Sequence, residues 1–152
     1  MITKNFKPLN FHQHALDAST FLSLLAKDLG YSNERAHADI LLQSFFNALK
    51  DHISIKESFL FIEKLPLFLK AVYIDGWKYE KNFDRSCDLK EFLQKVKENQ
   101  KKAYDDCSFN KFEVNENDTK IIISKLREYF SSDELSIVIS HFPERLRPLL
   151  TI

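Results

Sequence analysis

The chain has 152 residues, of which 44% are hydrophobic and 29% are charged, with 22 basic and 22 acidic side chains. This length predicts one ordinary domain that buries a core without help from a metal or a disulfide. The equal numbers of charges argue against recognition of nucleic acid or of a membrane by the whole molecule, because phosphate contact normally needs net positive charge.

Four helices are predicted in the first half of the chain. From about Asn10 apolar residues recur every three or four positions as far as Gly30, which suits the left-handed residue that follows a helix. Ser32 is predicted to cap the second helix. Ser54 and Glu57 have the spacing of a capping box, which predicts a short third helix over about residues 55–64.

The fourth helix is predicted to open at Pro66, because proline suits the first helical position, where its missing N–H costs nothing. It is predicted to end at Gly76 in a left-handed conformation, with Trp77 folding back on Val72 as in a Schellman ending. The polar, irregular residues 78–87 then predict a connector.

Four more helices are predicted after the connector. Asp88 is expected to cap the fifth helix, in which apolar residues follow at helical spacing. Residues 105–117 predict a loop, with a turn of helix around Phe109 and Phe112 left open. A sixth helix is predicted over about residues 118–129.

The last two helices are predicted from signals that also occur in the first half. Ser131 and Glu134 form a second capping box, and Pro143 is expected to open the eighth helix. Residues 136–141 are rich in Ile and Val, which alone favours a strand. The capping box before them, and their match to residues 58–64, favour a helix instead.

The two halves match at an offset of 77 residues, which is 143 − 66 and sets Pro66 on Pro143. The other matched pairs are Leu49 with Leu126, Ile53 with Phe130, Ser54 with Ser131, Glu57 with Glu134, Ile62 with Ile139, Leu65 with Phe142, Leu69 with Leu146 and Val72 with Leu149. This pattern predicts an all-α fold of about eight helices, built as two approximately repeated four-helix units in one domain. The predicted boundaries are 1–152 for the domain, 10–77 for the first unit, 78–87 for the connector and 88–150 for the second unit.

The segment from Leu65 to Trp77 resembles the signature of a bacterial family of uncharacterised domains, domain of unknown function 2267. That signature has Leu-Pro, then a basic residue, an aromatic residue and an acidic-Gly-Trp ending. The matching residues here are Leu65-Pro66, Lys70, Tyr73 and Asp75-Gly76-Trp77, and the steps Leu29-Gly30-Tyr31 and Glu91-Phe92-Leu93-x-x-Val96 are also similar. The resemblance extends from about Phe11 to Leu150. It implies an all-helical fold and brings no known activity, cofactor or catalytic residue.

The family often has Arg where this chain has Lys70, which argues against two-pronged binding of a carboxylate or phosphate at that position. The spacing of the five histidines gives no metal-binding motif, because His12 and His14 would point apart on a helix and no HExxH or Glu-x-x-His pattern occurs. No metal and no cofactor are therefore predicted.

The two cysteines, Cys87 and Cys107, fit no close metal or redox spacing and are expected to be free thiols of a cytoplasmic protein. This expectation also rests on the lack of a signal peptide at Met1 and of an apolar run long enough for a bilayer. Two aspartates precede Cys107, and nearby carboxylates raise the pKa of a thiol. Cys87, by contrast, lies near Arg85 in the sequence, which would favour its thiolate. The 2 glycines of the chain cannot build a phosphate-binding loop. No catalytic residue is predicted, so the question of enzymatic activity stays open and leans toward a non-enzyme.

An aromatic cluster surrounds the turn at Asp75 and Gly76. It is expected either to pack the seam between the two units or to line a groove there, with Lys70, Tyr73, Asp75 and Trp77 as candidate binding residues. The sequence leaves the function unknown. The favoured hypothesis is a non-enzymatic module that presents an apolar helix face or groove to another protein or to its own copy. The alternative is a small-ligand binding protein or enzyme that uses the cleft between the units, and nucleic-acid binding ranks third because no helix is dense in basic and amide side chains.

Overall fold

A computed structural model describes residues 8–78, 84–104 and 113–151. Within these ranges every regular element is a helix, so the predicted all-α fold is confirmed. The helices are α1 (Phe11–Leu29), α2 (Arg35–His52), α3 (Ile55–Ile62), α4 (Leu67–Ile74), α5 (Leu89–Ala103), α6 (Glu116–Arg127), α7 (Ser132–His141) and α8 (Arg147–Thr151), with one turn of 3-10 helix at Glu144–Leu146. The helical turn considered around Phe109 and Phe112, and residues 79–83 of the connector, lie outside the described residues.

One continuous hydrophobic core joins the helices of both halves. The long helices α1 and α2 pack together, α2 packs on α5, and α1 contacts α4 and α6. The short helix α3 contacts α4 and α7. Helices of two turns, such as α3 and α4, are marginal when isolated, so their stability depends on this packing.

Both predicted capping boxes are present. The Ser54 hydroxyl accepts from the Glu57 amide at 3.1 Å, and the Glu57 carboxylate accepts from the Ser54 amide at 2.9 Å. The box of Ser131 and Glu134 has the same two distances and opens α7, the segment whose composition alone favoured a strand. Local side-chain chemistry therefore decides where these helices begin.

Gly30 ends α1 as predicted, with φ of 85° and a hydrogen bond from the Tyr31 amide to Ala26 O at 2.7 Å. The cap predicted at Ser32 is wrong. The Glu34 amide donates to Tyr31 O at 2.7 Å, and this extra turn delays the start of α2 to Arg35.

The predicted Schellman ending of α4 is also wrong. Asp75 leaves the helical region, with φ of −56° and ψ of 128°, and Gly76 follows with φ of 71°. The Trp77 amide then donates to Ile74 O at 2.9 Å, which makes a type II turn. Because Asp75 is no longer helical, the Trp77 amide cannot reach back to the earlier carbonyl of a Schellman motif.

Neither proline occupies the first helical position, where it was predicted; each lies just before its helical segment. Pro66 has ψ of 159° and is the residue before α4, while Pro143 precedes the 3-10 turn. α8 itself begins at Arg147, because Pro148 has no N–H to continue an α-helix from the turn of Glu144.

Several features of the two halves recur at the predicted offset of 77 residues. Lys50 Nζ donates to Tyr73 O at 2.6 Å, and Arg127 Nη1 donates to Leu150 O at 3.4 Å. Each cation, at the end of one helix, thus satisfies a carbonyl near the end of another. The division of the chain into two four-helix units stays a prediction, which these paired contacts support.

Candidate functional site

A groove of about 570 Å³ lies between α3 and α4. α3 lines it with Lys56, Phe59 and Leu60, and Glu63, directly after α3, continues the same helical side, while α4 adds Lys70 and Ile74. The buried Ile62 also contributes to its lining. Phe59 and Ile74 remain 57% and 46% exposed, so the groove leaves apolar surface in contact with water.

The groove exists because α3 has apolar residues on more than one side. Its buried side includes Phe61, whose ring lies 6.1 Å from both the Phe130 and the Phe142 rings of the second half. With that side packed inward, Phe59 points away from the core. Surface helices usually have a single apolar stripe, so this second one is not explained by packing among the residues that the structure describes.

Tyr73 holds the two walls of the groove together from inside. Its side chain is fully buried, and its hydroxyl forms a 2.6 Å hydrogen bond with Ser58 Oγ of α3. Burial raises the pKa of Tyr73, and the Ser58 hydrogen bond opposes that rise in part. The ring also packs edge-on against Phe46 at 5.2 Å and against Trp77 at 5.6 Å.

The four candidate residues from the sequence take different positions. Lys70 lines the groove, Tyr73 lies beneath it, and Asp75 and Trp77 follow at the end of α4, with Asp75 exposed and Trp77 half-buried. Sequence reasoning missed Phe59, whose i+3 and i+4 spacing from Lys56 and Glu63 marks a second helix face.

A half-buried lysine stabilises the same end of α4. Lys50 Nζ, besides its bond to Tyr73 O, lies 5.4 Å from the centre of the Tyr73 ring and 5.9 Å from that of Trp77. Burial lowers the pKa of Lys50, while the charges of Asp51 and Asp75 oppose this change. Trp77 therefore serves as part of the packing around the turn and as a cation–π partner.

Charged residues form the rim of the groove. Within the described ranges, Lys56, Glu63 and Lys70 make no ion pair, whereas the adjacent Lys64 binds Glu134 at 3.0 Å. The rim thus has both signs of charge available for a partner, around an apolar centre.

A second and smaller cavity of about 280 Å³ lies where α1 and α4 of the first half meet α6 of the second. Phe21 forms its apolar part, with ring centres 5.7 Å from Phe68 and 6.3 Å from Tyr129. Lys125 lines it but is already paired with Asp28 at 2.9 Å. Burial raises the pKa of Tyr129, and the charges of Glu128 and Asp17 raise it further. The sequence raised a cleft between two units as an alternative site, and this cavity, between α1, α4 and α6, is the candidate for it.

The connector places buried polar groups at the junction of α2 and α3. The His52 Nδ1 atom is 2.9 Å from Asp84 O, and Arg85 donates to the Glu57 carboxylate. Cys87 is buried there with its thiol donating to Asp88 O, and burial raises the pKa of this thiol to about 12. The thiolate that Arg85 was expected to favour is therefore not supported, because Arg85 is bound to a carboxylate. No cluster of three or more metal-ligating side chains occurs among the residues described.

The fold and the groove define an all-α protein with an apolar surface between two short helices. The chain matches the family model described as "Uncharacterized conserved protein (DUF2267)" over residues 18–149, and it belongs to that family. Comparison with curated proteins gives no match. None of the helices in the described ranges combines the length and apolar character needed to span a bilayer.

Proposed function

We propose that this protein is a non-enzymatic interaction module that binds the apolar face of a partner helix in the groove between α3 and α4. The observation that carries the proposal is the exposed apolar side of α3, with Phe59 57% exposed opposite Ile74 of α4. Burying a phenylalanine or isoleucine side chain is worth about 1.5–3 kcal/mol, so binding of an apolar surface over these exposed residues is favourable.

The dimensions of the groove suit a helix. Each wall has 8 residues and is therefore about 12 Å long at the helical rise of 1.5 Å. A partner helix crosses this length in about two turns, so it presents side chains at i, i+3 or i+4, and i+7. The apolar centre and charged rim also have the usual composition of a protein–protein interface.

Site-specific photo-crosslinking tests the proposal. We would replace Phe59 with p-benzoylphenylalanine in the full chain and irradiate cells that naturally produce the protein. A matched control carries the same group at Leu16, which is 49% exposed on α1 and outside the groove. We expect one defined protein adduct from position 59, and we expect a Leu60→Glu substitution to abolish it. A yield at position 59 no higher than at position 16 would contradict the proposal.

A second candidate function is small-ligand binding in the 280 Å³ cavity between α1, α4 and α6. The observation that favours it is that Tyr129 lines this cavity together with the carboxylate residues Asp17 and Glu128 and the apolar side chain of Phe21. A thermal-shift screen with metabolites tests it, because a ligand of this cavity raises the melting temperature of the wild type. The same ligand should raise that of a Tyr129→Phe variant less.

The cellular setting also belongs to the proposal. A cytoplasmic location in a bacterium is supported by the buried thiol of Cys87 and by the family resemblance. Mass spectrometry of fractionated source cells tests the location, and recovery outside the cytoplasmic fraction would contradict it.

A further inference from the structure

We infer that the occupant of the α3–α4 groove is a second copy of the same chain, whose α3 packs antiparallel to the first about a twofold axis. This inference rests on the proposed function of the groove and names its partner. It is carried by the order of residues along the exposed side of α3.

When this order is reversed and set against the original, each apolar residue falls opposite an apolar residue, and each charged residue falls opposite one of the other sign. Lys56 and Glu63 lie at the two ends of the stripe, and the apolar Phe59 and Leu60 lie between them. In an antiparallel pair centred between Phe59 and Leu60, the lysine of each copy faces the glutamate of the other. Each phenylalanine then faces a leucine. The apolar centre of each copy is therefore covered by that of the other through the same twofold contact.

The charges also select the direction of pairing. A parallel arrangement sets lysine against lysine and glutamate against glutamate, and like charges facing each other are unfavourable. The antiparallel arrangement gives two equivalent ion pairs. Within the described residues neither Lys56 nor Glu63 has an ion-pair partner in its own chain, so no existing contact must break.

The fourth helix enlarges the surface that the second copy covers. Ile74 lines the same groove and is 46% exposed, and Leu67, at the other end of α4, is 43% exposed. The contact is nevertheless based on helices of only 8 residues, which is typical of a weak or transient association. We therefore expect monomer and dimer to exchange in the micromolar range.

Sedimentation equilibrium from low to several hundred micromolar protein tests this inference with charge reversals. Lys56→Glu and Glu63→Lys each set like charges against each other twice in the dimer, so each variant should raise the dimer Kd by at least about tenfold. The double variant Lys56→Glu/Glu63→Lys restores both ion pairs and should regain dimerisation. An equimolar mixture of the two single variants should form a heterodimer more tightly than either variant alone.

The control is Lys90→Glu, which reverses an exposed charge on α5 away from the groove and should leave the dimer Kd unchanged. Far-UV circular dichroism of every variant, and its melting temperature at a protein concentration well below the dimer Kd, should equal those of the wild type, since the reversed side chains make no ion pair in the described part of the chain. A folded wild type that stays monomeric throughout overturns the inference. So does a mixture of single variants that associates no better than each alone.

The proposed function and this inference fail differently. A monomeric wild type whose position 59 still crosslinks to one other protein refutes the second copy and keeps the interaction module. A monomer without any crosslink at position 59 refutes both. An adduct of twice the mass of the chain, lost in the Lys56→Glu variant, supports both.

Discussion

The hydrogen bond between the hydroxyls of Tyr73 and Ser58 gives the sharpest test of how the groove is held. The two residues are 0% exposed, and their oxygens are 2.6 Å apart across the interface of α3 and α4. Tyr73→Phe removes one hydroxyl and keeps the ring, so the packing against Phe46 and Trp77 is preserved. Ser58→Ala removes the other hydroxyl.

Each single change leaves a buried hydroxyl without its partner, which costs about 1–3 kcal/mol of unfolding free energy. When both hydroxyls are removed, no polar group is stranded. The double variant Ser58→Ala/Tyr73→Phe is therefore expected to be more stable than the sum of the single effects implies, by about 2 kcal/mol.

Urea unfolding followed by far-UV circular dichroism measures these free energies. Trp77 is the single tryptophan of the chain and packs on the Tyr73 ring, so its fluorescence gives a second and local probe. Coincident transitions from the two probes check that unfolding is two-state in every variant. Strictly additive costs, or single variants as stable as the wild type, would refute the argument that this buried bond joins the walls of the groove.

Three further predictions concern the turn, a cap and the buried thiol. Gly76→Ala should lower the free energy of unfolding, measured with urea, by about 1–2 kcal/mol, because the φ of 71° at this position is unfavourable for a residue with a Cβ. The added Cβ meets no atom within 4 Å, so the loss comes from the backbone conformation alone. Gly76→Asn should lower the free energy of unfolding by less. The amide of Ser131 and the ammonium of Lys64 lower the pKa of Glu134 in the folded protein. The contribution of this carboxylate to folding stability is therefore present above its usual pKa of 4.5 and is lost as pH falls through the lowered folded value. The melting temperature of the wild type should therefore fall more steeply below about pH 5 than that of Glu134→Gln, and parallel curves would disprove this. In a Cys107→Ser background at pH 8, iodoacetamide should alkylate folded Cys87 about a thousandfold more slowly than the urea-unfolded chain, because burial raises its pKa from 9.0 to about 12. Similar rates would contradict it.

The helix starts at Ser54, Asp88 and Ser131 were predicted because the contacts that set them lie within four residues, whereas the Asn115 cap that begins α6 at Glu116 falls in the predicted loop and was missed. Ser54, Asp88 and Ser131 each accept a hydrogen bond from the amide three residues later, as their sequence spacing indicates. Prediction from residue types alone was wrong at the end of α4, where the same residue is typical of two different local structures. Gly76 suits both a Schellman ending and a type II turn, and the ψ of 128° at Asp75 decides between them.

The candidate site was predicted in part, for a reason that Tyr73 illustrates. The sequence placed an aromatic residue near a groove, but it did not show that the Tyr73 hydroxyl meets Ser58, which is 15 residues away. Lys50, which binds Tyr73 O from 23 residues away, was likewise not associated with this turn. Contacts of this kind depend on how α2, α3 and α4 pack, and no local pattern encodes them.

The amino-acid sequence by itself determined that the chain is helical, where most of its helices begin and which family signature it has. Tertiary structure decided which side of α3 stays in water. That helix has apolar residues on both sides, so its periodicity does not distinguish Phe61 from Phe59. The distinction arises because Phe61 packs against rings of the second half, and Phe59, on the opposite side of the same helix, is left to line the groove.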